Sequence, residues 1–353
     1  MRVYDVLIIS CWHKREKIKP KILEIGCKKG RIATSENKHT LKELKEMQSW
    51  PLERKIAVSQ TKIIEWFLRH NGAVTCNFSG GKDSTVLLDL VRRCYPDVEA
   101  IYVDTGLCYP EVRNFAINTP NTTVIKPKLC KVCTDCIDGC FASIINNHGW
   151  CYPSKDVART LRYAAKGSAY AVNRVKGLNK DGTPSWFKET RYKKWAFLLD
   201  SGINISDICC EIMKERPLDK YMKQTGKMPF IGTMASESNR RKQSWLRVGC
   251  NAFEKRKPSS QPLSFWVEDN ILRYLRDFKI PYASVYGDIV AGRNGKLRTT
   301  GEKRTGCTLC PIGCHLDKES RFKRLAVSHP ELYYHVIHEL DLKRLLDYVG
   351  VEY

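Results

Sequence analysis

Short apolar runs alternate with polar and glycine-bearing stretches in the first half of the chain. The apolar runs predict strands at residues 73–78, 98–103 and 122–125. Between them, the apolar face of residues 85–93 predicts one helix, and Pro110 opens another. Because strands that alternate with helices at this spacing form parallel sheets with right-handed crossovers, we predict an α/β fold with a Rossmann-like parallel sheet.

The rest of the chain carries weaker periodic signals on both sides of this region. The elements they predict are helices over 41–47 and 55–70, strands at 229–233 and 263–266, and helices over 267–278 and 331–348. The middle of the chain, residues 126–225, is rich first in cysteine and then in basic residues. We therefore expect a large insertion between the third strand and the resumption of the sheet.

A glycine pair follows the first predicted strand, in the six residues Ser79, Gly80, Gly81, Lys82, Asp83 and Ser84. Glycine in a strand-to-helix turn lets backbone N–H groups point at phosphate oxygens, and the following helix adds its positive N-terminal end. Lys82 adds a charge, and the two serines add hydroxyl groups. The Walker A pattern G-x-x-x-x-G-K-[ST] is absent. Asp104, Thr105 and Gly106 follow the second strand, so we expect them at the same ligand-binding edge of the sheet.

Positive charge is in large excess, with 60 Lys and Arg against 38 Asp and Glu and a net charge of +22. Such an excess points to a polyanionic or phosphorylated partner. Residues 155–194 hold eleven basic and three acidic residues. Among the aromatic residues interleaved with or next to them are Tyr163, Tyr170, Trp186, Tyr192 and Trp195. This composition suits DNA or RNA binding, and the alternative is a solvated helical face over buried aromatic rings.

The chain has sixteen cysteines, and the chemistry expected of them depends on the cellular compartment. No apolar run approaches the roughly 18 residues of a membrane span, and the first ten residues are a poor signal peptide. We therefore expect a cytoplasmic protein without a membrane association. In a reducing compartment, clustered cysteines more often bind metal or iron–sulfur groups, or carry out redox chemistry, than form disulfides.

The glycine-bearing loop resembles the PP-loop of ATP pyrophosphatases (adenine nucleotide α-hydrolases) and of the related phosphoadenylyl-sulfate (PAPS) reductase group. The resemblance is closest to PAPS-reductase-like proteins often encoded by phages and mobile elements. It continues, in order, through residues 104–106, 232–241, 245–253, 262–266 and 305–310. It implies a Rossmann-like fold that binds an adenine nucleotide, either ATP or a sulfonucleotide (adenylyl sulfate, APS, or PAPS), with Mg2+ on the phosphates.

The resemblance also implies particular site residues. The loop and residues 104–106 would contact the nucleotide, and Lys82, Asp83 and Arg241 would be catalytic. The element that binds the substrate phosphate would comprise Glu237, Ser238, Arg240 and Arg241. Ordinary surface charge is the alternative for the two arginines.

A division of the chain follows from the predicted elements and the resemblance. We expect a basic N-terminal extension with helices over residues 1–70. A PP-loop nucleotide-binding domain would follow over residues 71–290, with the insertion at about 126–225 inside it. A cysteine-bearing, helical C-terminal segment would then occupy residues 291–353.

Two cysteine pairs resemble the tandem-cysteine and C-x-x-C segments of APS reductases. They are Cys209 with Cys210, and Cys307 with Cys310. In that family such pairs hold a [4Fe–4S] cluster, and four thiolates from two segments fill its four iron corners. Lys214 matches the family's lysine near the cluster. The candidate substitutes for one ligand are Cys250 and Cys314, and the alternative is a buried cysteine pair with an unrelated zinc-like C-x-x-C.

A second group of cysteines lies at Cys130, Cys133, Cys136 and Cys140. Its spacing approaches a bacterial ferredoxin run, with Phe141 in the place of the proline. A second iron–sulfur cluster, a structural Zn2+ and uncommitted thiols all remain open. The remaining cysteines are expected to be buried apolar residues: Cys11, Cys27, Cys76, Cys94, Cys108 and Cys151.

Two reactions fit the resemblance. Sulfonucleotide reductases release sulfite from APS or PAPS through a C-terminal cysteine and a thiol reductant, and this sequence has no cysteine after Cys314. ATP pyrophosphatases instead adenylate an acceptor, which a sulfur donor then opens. The intact loop and the positive charge favour adenylation of a nucleic-acid acceptor or another acceptor. A non-catalytic, cluster-bearing DNA-binding sensor is the remaining alternative.

Overall fold

The structure, a computed structural model, describes residues 37–128, 137–292 and 295–353. Two helices come first, α1 (Leu41–Ser49) and α2 (Leu52–Arg69). α1 begins at a capping box in which Thr40 and Glu43 satisfy each other's backbone N–H groups. α2 buries Ile63 and Trp66 completely, so these helices pack on the domain that follows.

The central sheet has buried strands in the middle, β1 (Val74–Phe78) and β2 (Ala100–Val103), and a partly exposed edge strand, β3 (Thr122–Ile125). Its other strands are β4 (Met228–Ile231), β5 (Asn251–Ala252) and β6 (Ser259–Ser260). They lie in the order β3-β2-β1-β4-β6-β5, and all neighbours are parallel except β5 and β6. The parallel Rossmann-like α/β architecture predicted from the sequence is therefore confirmed.

The first half of the sheet follows the predicted strand–helix alternation. α3 (Lys82–Cys94) joins β1 to β2, and α4 (Pro110–Asn118) joins β2 to β3. In α3, residues such as Leu87 and Leu90 are fully buried, because a parallel sheet needs helices over both faces. The carboxyl ends of β1 and β2 consequently open at one edge, where ligands of such sheets bind.

Helices make up most of the chain between β3 and β4. They are α5 (Ile137–His148), α6 (Lys155–Ala165), α7 (Ala169–Lys176), α8 (Trp186–Arg191) and α9 (Arg216–Thr225). Before α9 the chain is helical over Ile208–Cys210 and widens into a π turn over Glu211–Glu215. Such π turns occur frequently at functional sites.

The C-terminal part returns to the core and then packs on the insertion. Its elements are α10 (Asn239–Val248), α11 (Glu268–Asp277), β7 (Ile289–Ala291), β8 (Leu297–Thr299), α12 (Arg321–Ser328), α13 (Pro330–Tyr334) and α14 (Leu342–Val349). Phe141 and Tyr152 of the insertion share one buried cluster with Val336 and Leu345. This second core holds residues 141–213 and 307–346 together, apart from the core under the sheet.

Two predictions about elements were wrong. Residues 263–266 form a turn rather than a strand, and the strand lies earlier, at Ser259–Ser260. Leu263, Phe265 and Trp266 are fully buried, so the apolar run marked the core but not an extended conformation. The apolar pattern alone does not distinguish the two.

The last predicted helix, over 331–348, is interrupted. A π turn over His335–Glu339 follows α13, and Asp341 adopts a positive φ of 55° before α14. The break changes the direction of the chain, and both Val336 and Leu345 are fully buried in the core. None of the helices in the described residues is long and apolar enough to cross a membrane.

Candidate nucleotide site and cysteine cluster

The loop after β1 turns on Gly80. Its φ is 70°, and a Cβ there would lie 2.7 Å from the carbonyl oxygen of Val112. A side chain is therefore excluded both by backbone conformation and by space. Beyond the turn, the hydroxyl groups of Ser79 and Ser84 share a 3.0 Å hydrogen bond, and the Ser84 hydroxyl donates to the Gly81 carbonyl at 2.9 Å. This network fixes the loop at the start of α3.

Lys82 is buried at the first position of α3 and is tied to the C-terminal part of the chain. Its ammonium donates to the Lys303 carbonyl at 2.9 Å and lies 3.3 Å from the Glu268 carboxylate. The backbone N–H of Lys82 donates to the Tyr286 hydroxyl at 3.1 Å. Burial lowers the pKa of Lys82, but the charge of Asp83 and its other anionic neighbours outweighs burial and raises it. The ammonium therefore stays charged.

A cavity of about 750 Å3 opens in front of this loop. Its volume is within the range of small-molecule and cofactor sites. Predicted site residues that line the cavity are Ser79, Gly81, Lys82, Asp83, Ser84, Thr105, Glu237 and Arg241. Tyr286, Arg304 and Thr305 line it as well. Thr305 begins a segment of the family resemblance, whereas the sequence patterns gave no sign of Tyr286 and Arg304.

The other residues predicted to bind the nucleotide do not line the cavity. The Asp104 carboxylate is buried and accepts hydrogen bonds from the Arg113 guanidinium and from the Gly106 backbone N–H. Ser238 caps α10 by accepting the N–H of Arg241 at 3.3 Å. Arg240 is exposed on the first turn of α10. Gly80 also lies behind the lining, at the turn described above.

Carboxylates gather on one side of the loop. The Oδ1 atom of Asp83 is buried without a hydrogen-bond partner, and burial raises the pKa of this carboxyl. Glu237 is paired with Arg241. Within the described ranges, no group of three or more His, Cys, Asp or Glu side chains is placed to hold one metal ion. Mg2+ commonly binds through one or two carboxylates together with substrate phosphates, so Asp83 fits that donor set.

Four cysteines predicted as cluster ligands come together in space. Cys209, Cys210, Cys307 and Cys310 line one small cavity, together with Cys151. Its free volume is about 20 Å3, close to that of a single water site, so the thiols are closed on one another. Cys210 and Lys214 also line the larger cavity in front of the loop.

The number of thiols matches an iron–sulfur group, but in the part of the chain that the structure describes no three of them are placed to hold one metal ion. Two thiols from the π-turn segment and two from the C-x-x-C segment supply four sulfurs, the number that such a cluster needs. Burial raises the pKa of Cys310 to about 12, so a metal would have to displace its proton. The charge of Cys307 is the main cause of the raised pKa of Lys214. A fixed cation thus faces the sulfurs and offsets negative charge there.

The two proposed substitutes lie elsewhere. Cys250 is buried in the core under the sheet and accepts a hydrogen bond from the Ser264 hydroxyl at 3.3 Å. Cys314 is buried in the second core without lining the thiol cavity. Cys130, Cys133 and Cys136 lie outside the described residues, as does the side chain of Cys140.

Two cysteines that the sequence assigned to apolar packing also face cavities: Cys151, which is buried in the second core as predicted, and Cys108, which is partly exposed. Cys151 lines the thiol cavity, and its hydrogen bond is the main cause of the raised pKa of Cys209. Cys108 lines the nucleotide cavity, with its sulfur 3.0 Å from the Tyr102 hydroxyl. Cys151 lies inside the predicted insertion, and nothing in the sequence around it marked it as a thiol that faces a cavity. Cys108 lies two residues after Gly106, at the same strand edge.

The basic insertion presents a row of alternating cations and rings. Arg174 lies over both Tyr170 and Tyr192, at 5.3 and 4.0 Å from the ring centroids, and Arg191 lies over Phe187 at 5.5 Å. Tyr170 and Phe187 are exposed, whereas Tyr192 is buried. Of the other aromatic residues named from the sequence, Tyr163 and Trp186 are exposed and Trp195 is half-buried.

Fold and site together define a PP-loop nucleotide-binding protein, with a phosphate loop at the carboxyl end of β1 in a parallel sheet. A model of the phosphoadenosine phosphosulfate reductase domain matches residues 73–142 and 156–312. The chain belongs to this family, whose members bind adenine nucleotides.

The similarities to individual proteins include the following two. The chain is 23% identical over 288 residues to an uncharacterized protein of Methanocaldococcus jannaschii. The aligned region covers 80% of this chain and 51% of that protein. The chain thus spans about half the length of this relative. The crystal structure of Candida glabrata FMN adenylyltransferase aligns with a TM-score of 0.36 and 12% identity, over 69% of this chain and 65% of that one.

Proposed function

We propose that this protein binds ATP at the PP-loop and adenylates an acceptor that then receives sulfur. One observation carries the proposal: the phosphate loop and the cysteine segment line the same cavity. Lys82 and Asp83 lie on one wall, and Cys210 and Lys214 lie on another. A nucleotide held by the loop would therefore be activated within reach of a thiol-rich site.

The chemistry follows from these positions. Lys82 and the loop N–H groups hold the β- and γ-phosphates, Asp83 helps to hold Mg2+, and Arg241 contacts the phosphate that is attacked. An acceptor oxygen forms a bond to the α-phosphorus, and pyrophosphate leaves with the electron pair of the broken P–O bond. A sulfur donor then displaces AMP from the acceptor. The fixed cations offset the charge that develops on the phosphates.

Cys209, Cys210, Cys307 and Cys310 are proposed to hold a [4Fe–4S] cluster, a group that supplies redox-active, sulfur-rich chemistry when bound. Their thiols have to separate to admit it, since the space between them is that of one water site. Lys214 compensates the charge of the thiolates. We place the protein in the cytoplasm, where exposed thiols stay reduced.

We propose a nucleic acid as the acceptor. The net charge of +22 supplies attraction to a polyanion. The exposed rings of Tyr170, Trp186 and Phe187 supply faces for unpaired bases beside fixed guanidinium groups.

Sulfonucleotide reduction is the second candidate, favoured by the family and by one thiol. Cys108 lies in the nucleotide cavity, where it could attack the sulfur of APS or PAPS. Burial raises the pKa of Cys108, which leaves less of the thiolate that attack requires. Adenylation therefore fits the site better.

The deciding experiment is turnover by anaerobically purified protein given ATP, APS or PAPS separately, with Mg2+ and a dithiol. The proposal expects AMP and pyrophosphate from ATP, with stimulation by single-stranded DNA or RNA and loss in Lys82→Met. Sulfite from APS or PAPS that is lost in Cys108→Ser would establish reduction instead. Nucleotide binding without any turnover would point to a sensor.

A further inference from the structure

A second basic cavity lies beside the nucleotide site. Its volume is about 420 Å3. The cationic side chains that line it are Lys126, Lys128, Arg216 and Lys220. None of the side chains lining this groove is a carboxylate, and all four cations are exposed. Arg216 pairs with Glu211 at 3.0 Å.

The position of this groove follows from the sheet. Lys126 and Lys128 come directly after β3, whose carboxyl end opens at the same edge as the PP-loop. On the other side, the start of α9 and Glu215, the residue before it, form a wall shared by two sites. Arg216 and Pro217 face the groove, while Glu215 and Leu218 line the nucleotide cavity. The groove is therefore separated from the nucleotide by the first turn of one helix.

One ring in the groove is held in place. The Tyr221 hydroxyl donates to the Glu99 carboxylate at 2.7 Å, and Lys227 binds the same carboxylate. This hydrogen bond occupies the hydroxyl of Tyr221, so a further contact of Tyr221 would be made by its ring. Gln224 completes the lining with an amide. Cations around a fixed ring are suited to a phosphodiester chain with unpaired bases, because charge binds the phosphates and the ring face binds a base.

We propose that this groove binds the backbone phosphates of a single-stranded nucleic-acid acceptor and directs an adjacent nucleotide into the cavity of the PP-loop. The inference rests on the proposed function for the identity of the acceptor. Binding of the strand itself requires neither ATP nor turnover. A free polyphosphate would also bind these cations through its phosphates, so the test has to distinguish it from a nucleic-acid strand.

The test is fluorescence anisotropy of a labelled single strand of about 16 nucleotides, without ATP or Mg2+. Lys128→Gln with Lys220→Gln is compared with a matched pair of exposed lysines outside every described cavity, Lys42→Gln with Lys343→Gln. At about 0.15 M salt the groove pair should lose about tenfold in affinity. For the groove pair, the negative slope of log K against log salt should become shallower by about 1.4, which is ~0.7 for each lost phosphate contact.

Three results would overturn the inference. They are an unchanged affinity and slope in the groove pair, an equal loss in the control pair, or displacement of the strand by tripolyphosphate at matched phosphate concentration. ATP binding, measured by calorimetry on the groove pair, should match that of the unaltered protein and shows that the fold is intact. If strand binding behaves as expected but no AMP forms from ATP, the proposed function fails and the groove stands.

Discussion

The ammonium of Lys82, in the phosphate loop, donates a 2.9 Å hydrogen bond to the backbone carbonyl of Lys303. The two residues are 221 positions apart in the chain. Lys303 precedes Cys307, a proposed cluster ligand, by four residues. A short segment thus contacts Lys82 at one end and lines the thiol cavity at the other.

Phosphate binding should change the amide hydrogen exchange of residues 303–307. A bound phosphate competes with the Lys303 carbonyl for Lys82, because a charged acceptor makes the stronger hydrogen bond. We expect ATP with Mg2+ to alter amide hydrogen exchange over residues 303–307, measured by mass spectrometry. Lys82→Met should abolish that change and lower ATP affinity about tenfold or more, the effect of a hydrogen bond to a charged group. Lys45→Met, at an exposed position of α1, should leave both unaltered.

Gly80 should not tolerate a side chain. Gly80→Ala forces a positive φ on alanine and drives its Cβ against the Val112 carbonyl. We expect a loss of at least about 2 kcal/mol in the free energy of unfolding, measured in urea, together with loss of ATP binding. Gly182→Ala is the matched control, since its φ is also positive but nothing lies within 4 Å of the added Cβ. It should cost only about 1 kcal/mol. Equal costs at the two positions would contradict the packing argument.

Iron content should distinguish the thiol cavity from the other cysteines. Cys210→Ser and Cys307→Ser should each lose iron, labile sulfide and the broad absorbance near about 400 nm in anaerobic protein. Cys314→Ser, whose position is buried but outside the cavity, should keep all three. Retention of full iron by both cavity variants would refute the ligand assignment.

Lys55 should make stability depend on pH at alkaline values. It is buried between α1 and α11, where it donates to the Gln48 carbonyl and the Asn270 amide oxygen. Burial lowers the pKa of Lys55 to about 8, while the unfolded chain keeps the usual value near 10.4. Between these values the unfolded state binds more protons, so this residue's contribution to stability rises with pH.

Melting temperatures of the unaltered protein and of Lys55→Met check this sign. The difference between the two should shift in favour of the unaltered protein as pH rises from about 8 to 10. A difference that is constant over that window would mean that Lys55 keeps an ordinary pKa. Arg54→Met, at the neighbouring exposed position of α2, serves as the control.

The exposed rings of the insertion should contribute to strand binding through stacking. Trp186 is the most exposed, at 79%. Trp186→Ala should weaken single-stranded DNA binding about fivefold or more, since stacking on one base contributes about 1–3 kcal/mol. Tyr334→Ala removes another exposed ring, from α13, at 59% exposure, and should have no effect. An equal loss in the two variants would count against a specific stacking surface.

The sequence by itself determined the elements whose signals are local. The strand before Ser79, the glycine turn and α3 depend on residues within a few positions of one another, and all three follow the predicted pattern. Gly80 illustrates the reason, since a positive φ is a property of one residue and its neighbours. At residues 263–266 the apolar run correctly predicted burial but wrongly predicted a strand, because these residues form a turn.

Only the tertiary structure decided which distant residues surround the site. Tyr286 and Lys303 complete the hydrogen bonds of Lys82 across more than two hundred positions, and no periodic pattern predicts such a contact. Cys108 and Cys151 carry no local mark that separates a packed thiol from one facing a cavity. Their surroundings depend on how the insertion and the C-terminal segment bury apolar surface in a common core, and that packing is a property of the whole chain.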